Sequence, residues 1–273
     1  MTRGPGICER RITRIDDAGA RAQGDELVVE APLEVRVRGE PAVVMMRTPG
    51  DDPELVTGYL ISEGFAASVK AIGEIVAADA SANGARDQVA GDIVDLPGAE
   101  LRRDANTARS LYSSASCGAC GKAALGELAT AAAPSRASLK VPAAVITALP
   151  DRLREAQATF EHTGGVHAAG AFAASGQAIC VREDVGRHNA VDKLIGWAAR
   201  AGALPMQSAI LCVSGRVSFE IVQKAIVAGF PVIAAVSAPS SLAVDLAERY
   251  RITLCGFVRG GRFNVYAHPS RIL

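Results

Sequence analysis

The sequence predicts an α/β protein, with a largely parallel sheet covered by helices and a smaller mixed α/β unit ahead of it. Three observations carry that class. From Thr147 onward, apolar segments of strand length alternate with helix-length segments through short connections, as strands joined by crossover helices do. Before about residue 110 the pattern differs and opens with strict period two from Leu33 to Arg38. The chain has 273 residues, 49% of them hydrophobic, enough for a sizeable core in one large or two modest domains. The organisation so read is an N-terminal unit over 1–110, a thiol loop, helix and linker over 111–146, and an α/β core over 147–273.

The first 25 residues alternate Arg, Asp and Gly without an apolar stretch and read as a polar tail that contains Cys8. Leu33-Glu34-Val35-Arg36-Val37-Arg38 turns through Gly39-Glu40-Pro41 into Ala42-Val43-Val44-Met45-Met46, which predicts a hairpin. Asp52-Pro53-Glu54 supplies a cap, a first helical residue and an acidic first turn, so a helix starts there and Gly64 stops it. Residues 72–77 and 89–96 predict strands. Residues 106–116 are small and polar, as in a mobile loop, and 123–132 predict a helix just after Cys120, marked by Leu125 and Leu128. Pro134 and Pro142 bound a linker. The core then reads as helix 151–160, strands 167–173 and 177–182, helix 187–201, strand 209–213, helix 218–228, strand 232–236, helix 242–251 and strand 252–257.

Charge and cysteine usage narrow the function. The 29 Lys and Arg balance 29 Asp and Glu, so no net field attracts a polyanion and nucleic acid is not an expected partner. No apolar run approaches the length of a membrane-crossing helix, so no membrane partner is expected. Six cysteines would suit a disulfide framework in a secreted chain, but the missing signal-type stretch points to a reducing, cytoplasmic compartment. Cys180, Cys212 and Cys255 sit in apolar runs, where cysteine behaves as a small buried hydrophobe. Cys117 and Cys120 differ. Their setting, Ser116-Cys117-Gly118-Ala119-Cys120-Gly121-Lys122, has few side chains to shield a thiol and lets a partner come close.

A bare C-x-x-C is a zinc half-site, a redox pair or a reactive carrier. For zinc, no second C-x-x-C exists, and no metal is expected. A zinc deaminase needs H-x-E and P-C-x-x-C, whereas His167-Ala168-Ala169 has alanine in place of glutamate and Ser116 stands in place of proline. A thioredoxin-like pair directly follows a strand, and this one follows a polar loop, although a helix after Cys120 would lower a thiol pKa. Three strand ends offer ligand loops, since sheets of this kind bind ligands at the carboxyl ends of strands. Ser214-Gly215-Arg216-Val217-Ser218 and Ser237-Ala238-Pro239-Ser240-Ser241 suit an anion at a helix N-terminus, or serve only as turns and caps. Phe257-Val258-Arg259-Gly260-Gly261-Arg262 is either a phosphate grip or a solvated hairpin turn. Arg182-Glu183-Asp184-Val185-Gly186-Arg187-His188-Asn189 is either a site or a network of caps and ion pairs.

These motifs, taken in order with Thr163-Gly164-Gly165-Val166-His167-Ala168-Ala169 and the continuation Ala190-Val191-Asp192-Lys193, resemble the FdhD family of formate dehydrogenase accessory sulfurtransferases along nearly the whole chain. The resemblance implies a core similar to the cytidine deaminase fold and a sulfur carrier that takes sulfane sulfur from a cysteine desulfurase as a persulfide. It implies delivery of that sulfur to the molybdenum cofactor, bis(molybdopterin guanine dinucleotide), of formate dehydrogenase. By the same implication Cys117 bears the persulfide with Cys120 beside it. Phe257, Val258, Arg259, Gly260, Gly261 and Arg262 bind the cofactor, GDP mimics it, and the protein is a homodimer. The alternative is a non-catalytic chaperone for the molybdenum cofactor, with a structural or metal-binding C-x-x-C.

Overall fold

A computed structural model describes residues 6–78, 92–101 and 132–273. Cys117, Cys120, the loop expected over 106–116 and all but the last residue of the helix expected over 123–132 lie outside the described residues.

Strands β1 (Ile7–Asp16) and β2 (Gly19–Val28) form an antiparallel hairpin over the stretch read as a polar tail. Most of its side chains are exposed, so no buried face imposes the alternation that would have marked it. Strands β3 (Ala31–Val37) and β4 (Glu40–Arg47) are the hairpin read from period two, with Gly39 at φ +83 in the turn. Helix α1 (Asp52–Ser62) starts one residue earlier than read, with Asp51 at its N-cap, and Gly64 at φ +81 follows its end.

Ile72, expected to open a strand, instead ends a short helix, α2 (Val69–Ile72), capped where Ser68 Oγ accepts from the Ala71 amide. Gly73, at φ +73, breaks the chain there, and strand β5 begins only at Val76 (Val76–Ala78). Strand β6 (Asp92–Leu96) completes a sheet of order β4-β3-β6-β5. Leu33, Val35, Val43, Met45 and Leu96 of this sheet close a core with Leu55, Val56 and Leu60 of α1.

Helix α3 (Ala143–Glu155) begins well before the expected Asp151, and α4 (Ala158–Thr163) is a separate turn. Pro150 lies inside α3. A proline there costs about 3 kcal/mol, but Ile146, Leu149 and Leu153 bury one continuous face. The remaining elements are β7 (His167–Ala173), β8 (Ala178–Asp184), α5 (Arg187–Arg200), β9 (Ala209–Val213), α6 (Phe219–Ala228), β10 (Val232–Ala235), α7 (Ser241–Arg249), β11 (Thr253–Arg259) and β12 (Arg262–Ala267).

The second sheet runs β12-β11-β10-β9-β7-β8. The α/β class holds, with one correction: only the β9–β10 and β10–β11 pairings are parallel, and the remaining pairings, β7–β8, β7–β9 and β11–β12, are antiparallel. The four-residue loop 174–177 joins β7 to β8 and the two-residue turn Gly260-Gly261 joins β11 to β12 without a crossover helix, and so short a turn can only return the chain antiparallel. Alternate residues feed the two faces. Leu211 and Val213 of β9 pack with α5, α6 and α7, while Ile210 and Cys212 pack with α3.

Helices α1 and α5 join the two cores at an intimate crossing. A Cβ on Gly58 would lie 1.8 Å from the Asp192 carbonyl oxygen, and one on Gly196 would lie 1.8 Å from that of Glu54. Only glycine allows this approach.

Candidate functional site: one edge of the six-stranded sheet

The strand order brings dispersed motifs together. His167 opens β7 opposite Asp184 at the end of β8, Ala169 pairs with Val213 at the end of β9, and Val213 pairs with Ala235 at the end of β10. The 214–218, 237–241 and 257–262 segments therefore leave the sheet on the same edge as His167 and the 182–189 cluster. Hydrogen bonds lace them side by side. The Ala168 amide donates to Ser214 Oγ at 2.9 Å, the Val217 amide to the Ala238 carbonyl at 3.1 Å, the Ser240 amide to the Val217 carbonyl at 2.9 Å, and the Phe257 amide to the Ser237 carbonyl at 3.1 Å.

The 182–189 cluster divides into two halves. Arg182 grips Glu54 of α1, and the Glu183 carboxylate accepts from the Thr159 and Phe160 amides to cap α4. Asp184, fully buried, pairs with Lys193 at 2.9 Å and accepts from the Thr48 and Gly186 amides and from Asn189. These groups are committed to structure, since a buried carboxylate needs its charge and lone pairs answered. Arg187 and His188, on the first turn of α5, are left to face the edge.

His188 Nε2 stands 3.3 Å from Ser218 Oγ and 3.9 Å from a Glu220 carboxylate oxygen. Burial, reinforced by the charges of Lys224 and Arg187, pulls its pKa down to about 4, so the ring is neutral at pH 7. Burial and Arg187 also lower the pKa of His167, against the pull of Asp184. Burial acts to raise the pKa of Glu220, but the Ser218 hydroxyl, a backbone amide, His188 and Arg187 outweigh it and keep the carboxylate charged. Gly215 lies against both residues: a Cβ there would stand in ordinary contact, 3.4 Å from His167 Nδ1 and 3.8 Å from Arg187 Cδ. Arg187 Nε is buried with no hydrogen-bond partner among the described residues.

Of the residues expected to bind cofactor, Phe257 has φ +53, a left-handed backbone that a bulky side chain rarely adopts, at a register shift between Gly256 and Arg259. Val258 points into the core and is fully buried, so its contribution here is packing. Arg259 and Arg262 pair across the Gly260-Gly261 turn, both exposed, with the Arg259 guanidinium 5.5 Å from the centre of the Phe257 ring. The segment is thus a hairpin turn that presents two guanidiniums. Of the two serine-bearing helix starts, Ser240 spends its hydroxyl capping α7, while Ser218 has no side-chain cap bond and faces His188.

Three of the four described cysteines, Cys180, Cys212 and Cys255, are buried and chemically quiet. Burial raises the thiol pKa of Cys180 to about 11 and those of Cys212 and Cys255 to about 12, which leaves almost no thiolate at pH 7. Among the described residues no three His, Cys, Asp or Glu side chains gather to hold a metal. The sequence reading singled out the 182–189 cluster without separating Arg187 and His188 from it. Their place on the first helical turn after a strand was the available signal.

Scaffold and site together define an α/β protein with a polar rim at the strand ends, where two histidines are held neutral and two exposed guanidiniums project. The chain belongs to the FdhD/NarQ family, whose model matches residues 28–273. The sulfur carrier protein FdhD of Streptomyces avermitilis is 47% identical over 267 residues, covering 96% of this chain and 94% of that protein. The sulfur carrier protein FdhD of Mycobacterium tuberculosis is 45% identical over 277 residues, covering 98% and 99%. A crystal structure from Desulfotalea psychrophila, described as a formate dehydrogenase accessory protein, superposes with a TM-score of 0.77 at 25% identity over 98% of this chain and all of that one. No helix among the described residues is long and apolar enough to cross a membrane.

Proposed function

We propose that this protein is a sulfurtransferase of the carrier type, acting in the cytoplasm as a homodimer. Cys117 takes sulfane sulfur from a cysteine desulfurase and passes it to the bis(molybdopterin guanine dinucleotide) cofactor of a formate dehydrogenase. The observation that carries this reading is the shared edge, where every described motif of the family resemblance meets and where the Ser218 hydroxyl and the exposed Arg259 and Arg262 guanidiniums suit phosphate chemistry. The quiet state of Cys180, Cys212 and Cys255 supports it, because it leaves the sulfur chemistry to thiols outside the buried core.

In the loading step the Cys117 thiolate attacks the outer sulfur of the donor persulfide. The donor S–S bond breaks, the donor cysteine leaves as thiolate, and Cys117 carries the sulfane sulfur. In delivery the Cys120 thiolate attacks Cys117 Sγ and forms a disulfide, and the outer sulfur departs as hydrosulfide. The two thiolates supply both electrons, and a dithiol reductant then restores the pair. Arg259 and Arg262 would meet the phosphates of the client cofactor, with the charge of Arg187 nearby, and His188 with Ser218 can exchange a proton at the same rim.

The test is mass spectrometry after incubation with desulfurase and cysteine, with client activation measured in parallel. The Cys117→Ala variant should carry little usable sulfur, while Cys120→Ala should load Cys117 and deliver less efficiently. Equal loading and delivery by both variants would refute the division of roles. Stoichiometric zinc without any persulfide would favour a cofactor-binding chaperone instead.

A further inference from the structure

We propose that a cleft on the opposite edge of the six-stranded sheet is a binding site for a phosphate-class oxyanion. It lies where β11 begins and β12 ends, lined on one side by segment 135–140, and opens to solvent with a volume of about 550 Å³. Arg136, Lys140, Arg251, His268 and Arg271 line it together with serines, and no carboxylate does.

Arg271 makes this more than a basic surface. The residue is only 8% exposed, and its Nη1 donates to the Arg251 carbonyl at 2.9 Å and to Thr253 Oγ1 at 3.3 Å. Its Nη2 reaches Ser135 Oγ at 3.5 Å, and its Nε has no acceptor among the described residues. All of these acceptors are neutral. None of Arg136, Lys140, Arg251 and Arg271 forms an ion pair with a described carboxylate. The nearby Glu248 is held by His268, 3.2 Å from its Nε2, and does not line the cleft. Burial and the neighbouring Arg251 both work against the charge on Arg271, as expected of a cation held without its counter-ion.

A buried guanidinium without an opposite charge is costly, and a bound oxyanion would supply that charge. Phosphate fits the complement better than a carboxylate does. It carries up to two negative charges and more acceptor oxygens, and here it would face an arginine fork, a lysine and the Ser135 and Ser270 hydroxyls. The inference is independent of the sulfur-carrier reading, because the cleft and the motif edge lie at opposite ends of the same strands.

The ligand could be free phosphate or the phosphate end of a nucleotide. The experiment uses the full chain carrying Arg259→Ala and Arg262→Ala, which removes the guanidiniums of the other edge. Calorimetric titrations with inorganic phosphate and with GDP are compared with and without added Arg136→Ala and Lys140→Ala. Both added positions are exposed, so folding should persist, and a thermal transition checks it. Saturable phosphate binding should weaken by about tenfold or more when these two cations are lost. Competition by GDP would support a nucleotide phosphate as the ligand, and phosphate binding without competition would support the free anion. No saturable binding of either probe, or affinity unchanged by the two substitutions, would overturn the proposal.

Discussion

Alanine in place of Gly196 would ordinarily help a helix, by up to about 1 kcal/mol, yet here the structure requires the opposite sign. Gly196 sits where α5 crosses α1, and the added Cβ would fall 1.8 Å from the backbone oxygen of Glu54. Ordinary contact begins near 3.4 Å, so the helices would have to part by about 1.6 Å. A backbone oxygen inside a helix cannot swing aside as a side-chain tip can. Overpacking of this kind costs typically about 1–3 kcal/mol. Parting the helices also loosens the ion cluster they share, in which Lys224 Nζ lies 2.9 Å from Asp192 and 2.8 Å from Glu63. After the propensity gain is subtracted, a net loss of about 1–2 kcal/mol is expected, read as a lower urea midpoint at constant slope. The Gly58→Ala variant should fall by a similar amount, and the double variant by less than the sum, because the first substitution opens the gap for the second. A midpoint that stays put or rises for Gly196→Ala would refute the close crossing.

Two further outcomes concern the rim. The pKa of His188 falls from 6.5 to about 4 on folding, so its neutral form contributes stability that is complete above pH 6.5 and is lost as pH falls from there toward 4. That gap corresponds to about 3 kcal/mol, and a His188→Gln variant should show a flatter dependence of urea midpoint on pH across the window, whereas identical slopes would mean the ring is not buried as described. For the hairpin turn, Arg259→Ala with Arg262→Ala should weaken GDP binding at the motif edge by about tenfold or more, with persulfide loading at Cys117 retained. Unchanged calorimetric affinity would shift the phosphate contacts to Arg187 and the 214–218 loop.

What could be read from the sequence follows from which elements carry a periodic imprint of burial. Strands β7 and β9 were legible to the residue, because each is an apolar run cut off by polar and glycine-rich turns. The β1–β2 hairpin was not, because it buries no face, and α3 was misplaced because Pro150 spoke louder locally than three buried side chains did at a distance. Strand β12 was hidden for a third reason: Phe263 and Tyr266 are partly covered while Asn264 and Val265 are exposed, so the run reads as a tail to the glycine turn.

At the site, the individual loops were legible because each follows a strand, but their meeting depends on the order β12-β11-β10-β9-β7-β8, which no local pattern encodes. The 182–193 stretch shows the same limit within a single motif. A charge cluster at a strand-to-helix junction looks alike whether its groups bond inward or face a ligand. Bonding separates Asp184 and Lys193, 0% and 1% exposed and bonded to each other, from Arg187, whose buried Nε finds no partner among the described residues. The inward half explains the outward one. Asp184 and Lys193 both bind Thr48, in the loop between β4 and α1, so the first turn of α5 is fixed from both cores at once. Arg187 and His188 are thereby carried on a rigid element, so the side chains they present toward the strand ends keep their direction instead of relaxing onto the protein.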